Sequence, residues 1–273
     1  DILQNMIKCI LIFVLFVLFK PSLIYLGIIS LILSIFKFLV QYIVTKKIMP
    51  EISITIKSFS LNKIKELLSS GVWNSINSLG SLLMLSMSLF IANKFVDASA
   101  SGNLSIVQTL PNLLTSIICA IYSVFMPRIT KIYAQYNKEL LIDEVEKSQK
   151  ILGLISTTPV ILIILFGGDF FELWVPNENS IYFHTISIIT VLPLLIHGNM
   201  WTIYGLNTVF NKIKLPSILL IIFGILNISI TIFLLRYTNI DGLFIITVVS
   251  SSLNILYYLI FIPIYASFQL KIS

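Results

Sequence analysis

Charged residues are scarce in this sequence. Asp, Glu, Lys and Arg make up 11% of its 273 residues, against about 25% in typical soluble domains. Hydrophobic residues reach 57%, and the mean hydropathy is +0.99. One globular core of this length cannot bury that much apolar surface, so a water-soluble fold is excluded, as are disordered and collagen-like chains. The composition predicts a membrane protein.

Cysteine and catalytic motifs are also lacking. The two cysteines, Cys9 and Cys119, stand more than a hundred residues apart in apolar runs, which gives no support to a disulfide framework or a metal cluster. The sequence has no glycine-rich phosphate loop, no HExxH motif and no Ser/His/Asp set. We therefore expect no enzymatic activity, no cofactor and no bound metal.

Eight apolar runs are candidates to cross a bilayer, whose hydrocarbon core of about 30 Å requires about 20 helical residues. They are continuously apolar rather than alternating, which favours helices over a barrel. The predicted fold class is therefore all-α, a polytopic membrane protein with eight transmembrane helices. The runs cover residues 6–18, 23–44, 71–95, 103–126, 149–166, 181–210, 216–235 and 243–268, of which the first is short.

Basic residues are concentrated in every second loop. The connections 45–70 and 127–148 carry five and four Lys or Arg residues, whereas the alternate loops carry only Lys20, Lys94 and Arg236. Because basic loops stay in the cytoplasm, the pattern predicts that both ends of the chain are cytoplasmic. This orientation explains the net charge of +6 without a nucleic-acid partner.

Polar side chains recur at helical spacing within three spans. Such residues face a neighbouring helix or a cavity, because a polar group in hydrocarbon is costly without a partner. Both interpretations stay open for the serines. For Gln108 and Asn112 we expect a cavity, since an amide donates and accepts hydrogen bonds and suits a hydroxyl-rich ligand such as a sugar. The stripes are Ser30, Ser34, Lys37 and Gln41; Asn74, Ser78, Ser81 and Ser88, with Asn77 beside them; and Ser105, Gln108, Asn112, Ser116, Cys119 and Ser123.

Two ionisable residues stand inside spans. Lys37 lies ten residues before Lys47, about 15 Å along a helix, so its ammonium is expected to face water, a partner or an anionic ligand. His197 shares a helical face with Trp201 and Tyr204, which predicts a cavity wall, a proton relay or a hydrogen-bonded packing histidine. All twelve Asp and Glu residues lie outside the spans or at their ends, which argues against an ion-coupling carboxylate.

Two long segments contain polar residues and a Pro-Arg-Ile-Thr motif in a fixed order: GVWNSINSLGSLLMLSMSLFIANK (71–94) and SGNLSIVQTLPNLLTSIICAIYSVFMPRITKIYAQ (101–135). They resemble the polysaccharide flippases of the multidrug/oligosaccharidyl-lipid/polysaccharide exporter superfamily. In that family the eighth helix ends with a Ser and an aromatic residue before a Pro-Arg-Ile-Thr motif; here these are Ser123, Phe125, Pro127, Arg128, Ile129 and Thr130. ELWVP (172–176) and GLNTVFNKIKLPS (205–217) are similar to the family's ninth-to-tenth loop and tenth-helix exit.

The resemblance implies a two-lobe, twelve-helix transporter of the MATE-like kind. Residues 1–45 would hold the last two helices of the first lobe, 46–70 a cytoplasmic connection with an amphipathic helix, and 71–273 the six-helix second lobe. Four preceding helices of the same chain are then expected, and the sequence is expected to be part of a longer protein. Relatives often carry an Asp where this sequence has Ser88, so any role of that carboxylate does not carry over.

The resemblance also implies a function. A flippase would move a lipid-linked oligosaccharide, an undecaprenyl-pyrophosphate repeat unit, across the bacterial inner membrane by alternating access, for capsule or O-antigen synthesis. Lys37 would face the pyrophosphate, and the sugars would contact Asn77, Ser81, Gln108 and Asn112, with His197 and Trp201 as further cavity candidates. Pro111 and Pro193 are candidate bend points.

Partners and alternatives follow from the same resemblance. The expected partners are the lipid-linked substrate, membrane lipid and other polysaccharide-assembly proteins. A drug/cation antiporter or a lipid II flippase of the same superfamily, a membrane polysaccharide polymerase, and a non-transporting remnant stay open as alternatives.

Overall fold

The computed structural model describes residues 2–18, 22–48, 60–176 and 178–264, and within these ranges all regular structure is helical. The predicted all-α class is thus confirmed. In chain order the helices are α1 (Ile2–Leu18), α2 (Leu23–Ile48), α3 (Leu61–Ser81), the π-helical segment π1 (Leu82–Ser86), α4 (Met87–Ile91), π2 (Ala92–Val96), α5 (Ala98–Ala134), α6 (Lys138–Trp174), α7 (Ser180–Val209), α8 (Lys214–Tyr237), α9 (Gly242–Leu256) and π3 (Tyr257–Phe261).

Seven rather than eight helices in the described part are long and apolar enough to cross a membrane. They correspond to the second to eighth predicted runs, and the chain is a multi-pass membrane protein. The first predicted run corresponds to a shorter apolar helix, Met6–Val17, whose length falls below the roughly 20 residues that a span needs. The end of the last predicted run, 265–268, lies outside the described residues.

The chain divides into two compact units, Asp1–Lys63 and Ile64–Ser273. The first unit contains α1 and α2, which contact each other, and the second contains the helices from α4 onward and most of α3. The boundary falls inside the predicted connection 46–70, of which residues 49–59 lie outside the described ranges. The predicted division into 1–45, 46–70 and 71–273 stays a prediction.

Asx side chains begin the helices of the second unit. Asp97, Asn137, Asn179 and Asp241 each accept a hydrogen bond from a backbone N–H three residues later, at 2.6, 3.0, 3.1 and 2.9 Å. These bonds satisfy N–H groups that have no partner in the first turn of a helix. They fix where α5, α6, α7 and α9 begin, and hence which residues face each other across the unit.

The helices α6 and α7 pack closely because small residues face each other between them. A Cβ added at Gly153 would clash with the Asn199 amide, and one at Gly198 would clash with Ser156. Nearby, the buried hydroxyls of Ser148 and Thr202 lie 2.7 Å apart. Small residues and interhelical hydrogen bonds are the usual basis of packing within a membrane, where the hydrophobic effect does not drive helices together.

Apolar clusters pack at the two ends of the second unit. At the end marked by Lys131, Lys138, Lys212 and Lys214, here called the basic end, Ile129 and Ile132 of α5 are buried against Leu141 and Leu206. At the opposite end the floor cluster packs Leu104, Phe171 and Phe183 with residues of α4, α7 and α9. Residues 127–134 continue α5, with Ile129 and Ile132 buried and the residues around them exposed.

Candidate functional site

The second unit contains a cavity of about 470 Å³, within the range of about 300 to 1,000 Å³ that is typical of small-molecule sites. Its walls come from the helical stretches 77–89, 104–115, 190–204 and 246–258. Leu104 and Ile246 line the cavity and also belong to the floor cluster. The floor cluster therefore forms the end of the cavity opposite the basic end.

Six predicted site residues share this cavity. Those six are Asn77, Ser81, Gln108, Asn112, His197 and Trp201. Pro111 and Pro193, the predicted bend points, also line it. Polar stripes from separate spans thus converge on one space, although a role in binding stays a prediction.

Four other serines of the α3 and α5 stripes do not line the cavity. Ser78, Ser105, Ser116 and Ser123 are exposed and donate hydrogen bonds to backbone carbonyls of the preceding turn. A hydroxyl bonded to its own helix costs little in hydrocarbon. In the part of the chain that the structure describes, these four bond to their own helices, and their role in packing or in a cavity stays a prediction.

Lys37 belongs to the first unit, whereas the cavity belongs to the second. Its side chain is half-buried in α2, eleven residues before the helix ends at Ile48. The neighbouring hydroxyls of Ser30 and Ser34 donate to backbone carbonyls of α2 at 2.7 Å. The predicted contact of Lys37 with an anionic group stays a prediction.

His197 lies within a stack of aromatic rings. Its ring lies 4.4 Å from that of Trp201, nearly parallel at 13°, and 3.8 Å from that of Tyr258. The imidazole makes no hydrogen bond to another residue in the described part of the chain, and the described cavity lining contains no carboxylate that could receive its proton. The stack joins α7 to π3 and forms one wall of the cavity.

Hydrogen bonds hold the two π-helical segments beside the cavity. The Met84 carbonyl of π1 accepts hydrogen bonds from Asn227 Nδ2 of α8 at 2.9 Å and from Ser250 Oγ of α9 at 3.2 Å. Tyr257 of π3 donates to the Pro216 carbonyl at 2.9 Å. π-helical turns redirect side chains and are frequent at functional sites. Leu85 and Ser86 of π1 and Tyr258 of π3 line the cavity as a result.

Sequence analysis missed the fourth wall of the cavity. It consists of side chains of α9 and π3 at steps of three and four residues: Thr247, Ser250, Ser251, Asn254 and Tyr258. These residues recur at the same helical spacing as the α5 stripe, so a polar face on this span was predictable from the sequence. Asn254 is 5% exposed, and its Oδ1 has no hydrogen-bond partner among the residues that the structure describes.

The cavity lining described by the structure carries no Asp, Glu, Lys or Arg. Its polar groups are amides, hydroxyls and one imidazole. Such groups recognise hydroxyl groups by donating and accepting hydrogen bonds. The aromatic rings offer apolar faces beside them, so the cavity suits a neutral ligand with both hydroxyl and C–H surfaces.

The Pro-Arg-Ile-Thr motif lies away from the cavity, at the basic end. Arg128 Nη2 lies 3.1 Å from Glu144 Oε2 of α6, and the Glu144 side chain is 6% exposed. Ile129 is fully buried, and Thr130 donates to the Met126 carbonyl at 2.8 Å. Pro127 lies inside α5, which continues to Ala134. The motif therefore attaches α5 to α6.

Comparisons with known proteins agree with this geometry. A family model described as polysaccharide biosynthesis protein matches residues 1–133. The chain is 28% identical over 269 residues to the membrane protein EpsK of Bacillus subtilis (strain 168), and the aligned region covers 97% of this chain and 52% of EpsK. A crystal structure of MATE in the straight conformation matches with a TM-score of 0.67 at 15% identity, over 92% of this chain and 56% of that one. The chain thus spans about half the length of these two proteins.

Proposed function

We propose that this chain moves a lipid-linked oligosaccharide across the bacterial inner membrane. It belongs to the polysaccharide flippase family of the multidrug/oligosaccharidyl-lipid/polysaccharide exporter superfamily. The substrate is an undecaprenyl-pyrophosphate repeat unit of a capsule or O-antigen. The observation that carries the proposal is the cavity between α3, α5, α7 and α9, whose described lining consists of amides, hydroxyls, aromatic rings and apolar side chains without Asp, Glu, Lys or Arg. No bond is made or broken in this reaction.

The cavity supplies hydrogen bonds to the sugars. Gln108 and Asn112 project from α5, and Asn77 accepts a hydrogen bond from the Tyr204 hydroxyl within the lining. The side chains of Gln108 and Asn112 make no hydrogen bond to another residue that the structure describes, so their amides can replace the water around sugar hydroxyls. The lipid chain stays in the bilayer, where its transfer to water would be costly.

The orientation of the cavity fits uptake from the cytoplasm. By the positive-inside rule the basic end faces the cytoplasm, and the floor cluster forms the opposite end of the cavity. Lys37 provides a positive charge for the pyrophosphate, because a lysine at this depth requires an anionic or aqueous neighbour. Release then requires rocking of one lobe against the other, so that the floor cluster opens and the basic end closes.

A drug/cation antiporter of the same superfamily is the second candidate. The stacked rings of His197, Trp201 and Tyr258 favour it, because aromatic faces attract organic cations. The described lining, however, holds no carboxylate to attract a cation. We therefore favour the flippase.

Export of surface polysaccharide in the host tests the flippase directly. The full protein, and its Gln108→Leu/Asn112→Leu variant, are returned to a strain that lacks the gene, and cell-surface polysaccharide is quantified. We expect export with the unaltered protein and at least about tenfold less with the double variant, since two buried hydrogen bonds of about 1 kcal/mol each are lost. Thr158→Ala, at an exposed position of α6, which contributes no residue to the described lining, serves as the control and keeps export.

The antiporter predicts a different outcome for the same strain. Unaltered polysaccharide in the absence of the gene, together with increased sensitivity to tetraphenylphosphonium, would favour the antiporter over the flippase.

A further inference from the structure

A second cavity lies at the basic end of the second unit and shares no lining residue with the first. It has a volume of about 240 Å³. Its lining comes from the end of α5, the start of α6 and the turn between α7 and α8. Two separate turns of the chain therefore meet at one concave surface.

Positive charge without a compensating acid characterises this second cavity. Its described lining contains two lysines, Lys138 of α6 and Lys212 of the turn before α8, and no Asp or Glu. Both lysines are exposed. Asn137 lines the same space, and because its Oδ1 accepts from the Leu140 N–H at 3.0 Å, the rest of its amide is an N–H donor. Ammonium and amide donors together suit an anion with several oxygen atoms, such as a phosphate.

Apolar side chains form the remainder of the lining. The rings of Tyr133 and Phe210 pack with their centroids 4.8 Å apart, and Leu141 is buried. Tyr136 is 94% exposed, and exposed tyrosines at the ends of membrane-spanning helices are typical of the membrane–water interface. The second cavity thus combines positive charge with apolar surface, which is the combination that an amphiphilic anion requires.

The length of α8 places this cavity at the level of the lipid head groups. α8 has 24 residues, about 36 Å along a helix, against a hydrocarbon core of about 30 Å. Its ends therefore lie close to the boundary of the hydrocarbon, and Lys212 stands just before its first residue. The contact of Tyr133 with Phe210 holds the end of α5 at the same level. By the positive-inside rule this is the cytoplasmic surface of the membrane.

The charges of the lining discriminate between lipid head groups. A zwitterionic head group carries an ammonium beside its phosphate, which the two lysines would repel with no acid of the described lining to compensate. Phosphatidylglycerol carries a phosphodiester and an uncharged glycerol, whose hydroxyls donate and accept hydrogen bonds. Its phosphate would contact the lysines, and its glycerol the Asn137 amide.

We propose that the second cavity binds the head group of an anionic phospholipid of the phosphatidylglycerol type from the cytoplasmic leaflet, with Lys138 and Lys212 at its phosphate. The bound lipid links the α5–α6 turn to the α7–α8 turn, because each turn contributes one of the two lysines. The site lies outside the substrate cavity and does not rest on the proposed function.

Native mass spectrometry of the purified full protein tests the inference. Delipidated protein in an uncharged detergent is titrated with dioleoylphosphatidylglycerol or with dioleoylphosphatidylethanolamine, which carry the same acyl chains, and the Kd of the first bound lipid is determined. We expect phosphatidylglycerol to bind at least about tenfold more tightly at neutral pH, because anionic lipids attract basic residues at a membrane surface and zwitterionic ones do not.

Two double variants of equal charge locate the binding. Lys138→Gln/Lys212→Gln removes both lysines of the cavity, and we expect about tenfold weaker binding of phosphatidylglycerol with that of phosphatidylethanolamine unchanged. Lys131→Gln/Lys147→Gln removes the same charge from exposed positions of α5 and α6 outside the described lining and is expected to bind as the parent protein does. Circular dichroism and gel filtration establish that both variants are folded.

Three lipid results would overturn the inference. The first is equal binding of the two lipids by the unaltered protein, and the second is unchanged phosphatidylglycerol binding by Lys138→Gln/Lys212→Gln. The third is an equal loss in both double variants, because overall charge rather than the cavity would then attract the lipid.

Two further probes test other occupants of the second cavity. Farnesyl pyrophosphate represents the pyrophosphate of the proposed substrate, and a decaglutamate peptide represents an acidic protein segment. Weaker binding of both probes than of phosphatidylglycerol supports the lipid site. Tighter binding of either probe, lost in Lys138→Gln/Lys212→Gln, overturns it and assigns the cavity to that occupant. Export is not measured in these titrations, so their failure and that of the flippase proposal are separate results.

Discussion

Arg128 and Glu144 form an ion pair between the last turns of α5 and the first turns of α6, with Nη2 and Oε2 3.1 Å apart. The arginine side chain is 60% exposed, whereas the carboxylate is 6% exposed. A buried carboxylate without its partner is costly, but solvent around the arginine screens the attraction. The contribution of this pair to the free energy of unfolding is therefore expected to lie between that of surface pairs and that of fully buried pairs.

Replacement of Arg128 by methionine is therefore expected to destabilise the protein. We expect a decrease of about 1 to 2 kcal/mol in the free energy of unfolding, between the roughly 0 to 1 kcal/mol of exposed pairs and the 3 to 5 kcal/mol of buried ones. Thermal unfolding in detergent measures it. The double variant Arg128→Met/Glu144→Leu is expected to recover most of the loss, and purely additive effects would contradict the pairing.

Close packing of α6 against α7 predicts that Gly198 does not tolerate a side chain. Gly198→Ala places a methyl group against Ser156 and is expected to cost about 1 to 3 kcal/mol, as overpacking does elsewhere. Gly102→Ala is the matched control, because nothing lies within 4 Å of a Cβ at that position of α5. Equal melting temperatures of the two variants would show that the helices are farther apart than described.

Two adjacent tyrosines of π3 are expected to respond differently to loss of the hydroxyl. Tyr257 is fully buried and donates to the Pro216 carbonyl at 2.9 Å, so Tyr257→Phe leaves that carbonyl without its side-chain donor and lowers stability by about 1 to 2 kcal/mol. Tyr258 makes no hydrogen bond to another described residue, and Tyr258→Phe is expected to unfold at the parent temperature. A larger loss for Tyr258→Phe would contradict this assignment of the π3 contacts.

His197 is expected to act through its ring rather than its proton. His197→Phe retains a ring beside Trp201 and Tyr258 and is expected to keep at least about half of the polysaccharide export. His197→Ala removes the ring contacts, which are worth about 0.5 to 1.5 kcal/mol per aromatic pair, and is expected to reduce export further. Cell-surface polysaccharide in the complemented strain measures both. Complete loss of export in His197→Phe would indicate a proton relay instead.

The sequence was sufficient to predict the helices and most of the cavity, because hydrophobic length and helical spacing are local properties. Gln108 and Asn112 were recognisable as too polar for lipid, and they line the cavity. The α9 wall carried the same pattern, at Thr247, Ser251 and Asn254, and its discovery required only a search of the last span.

Other features could not be predicted because they depend on contacts between distant helices. No local sequence pattern predicts the π-helical segment 82–86, because it is held by contacts with distant helices. Side chains of α8 and α9 donate hydrogen bonds to its Met84 carbonyl. Glu144 lies in the predicted connection 127–148, and its burial beside Arg128 depends on how α5 and α6 pack. A buried charge and an exposed one look alike in sequence.

Photocrosslinking inside the cavity tests the central claim most directly. Benzoylphenylalanine is incorporated at Asn112, which lines the cavity, or at Thr158, an exposed position of α6, which contributes no residue to the described lining. Cells that assemble the polysaccharide are irradiated, and the purified protein is analysed by mass spectrometry for a covalently attached lipid-linked oligosaccharide. We predict an adduct at position 112 and none at 158. An adduct at 158 alone, or at neither position while export continues, would contradict the account.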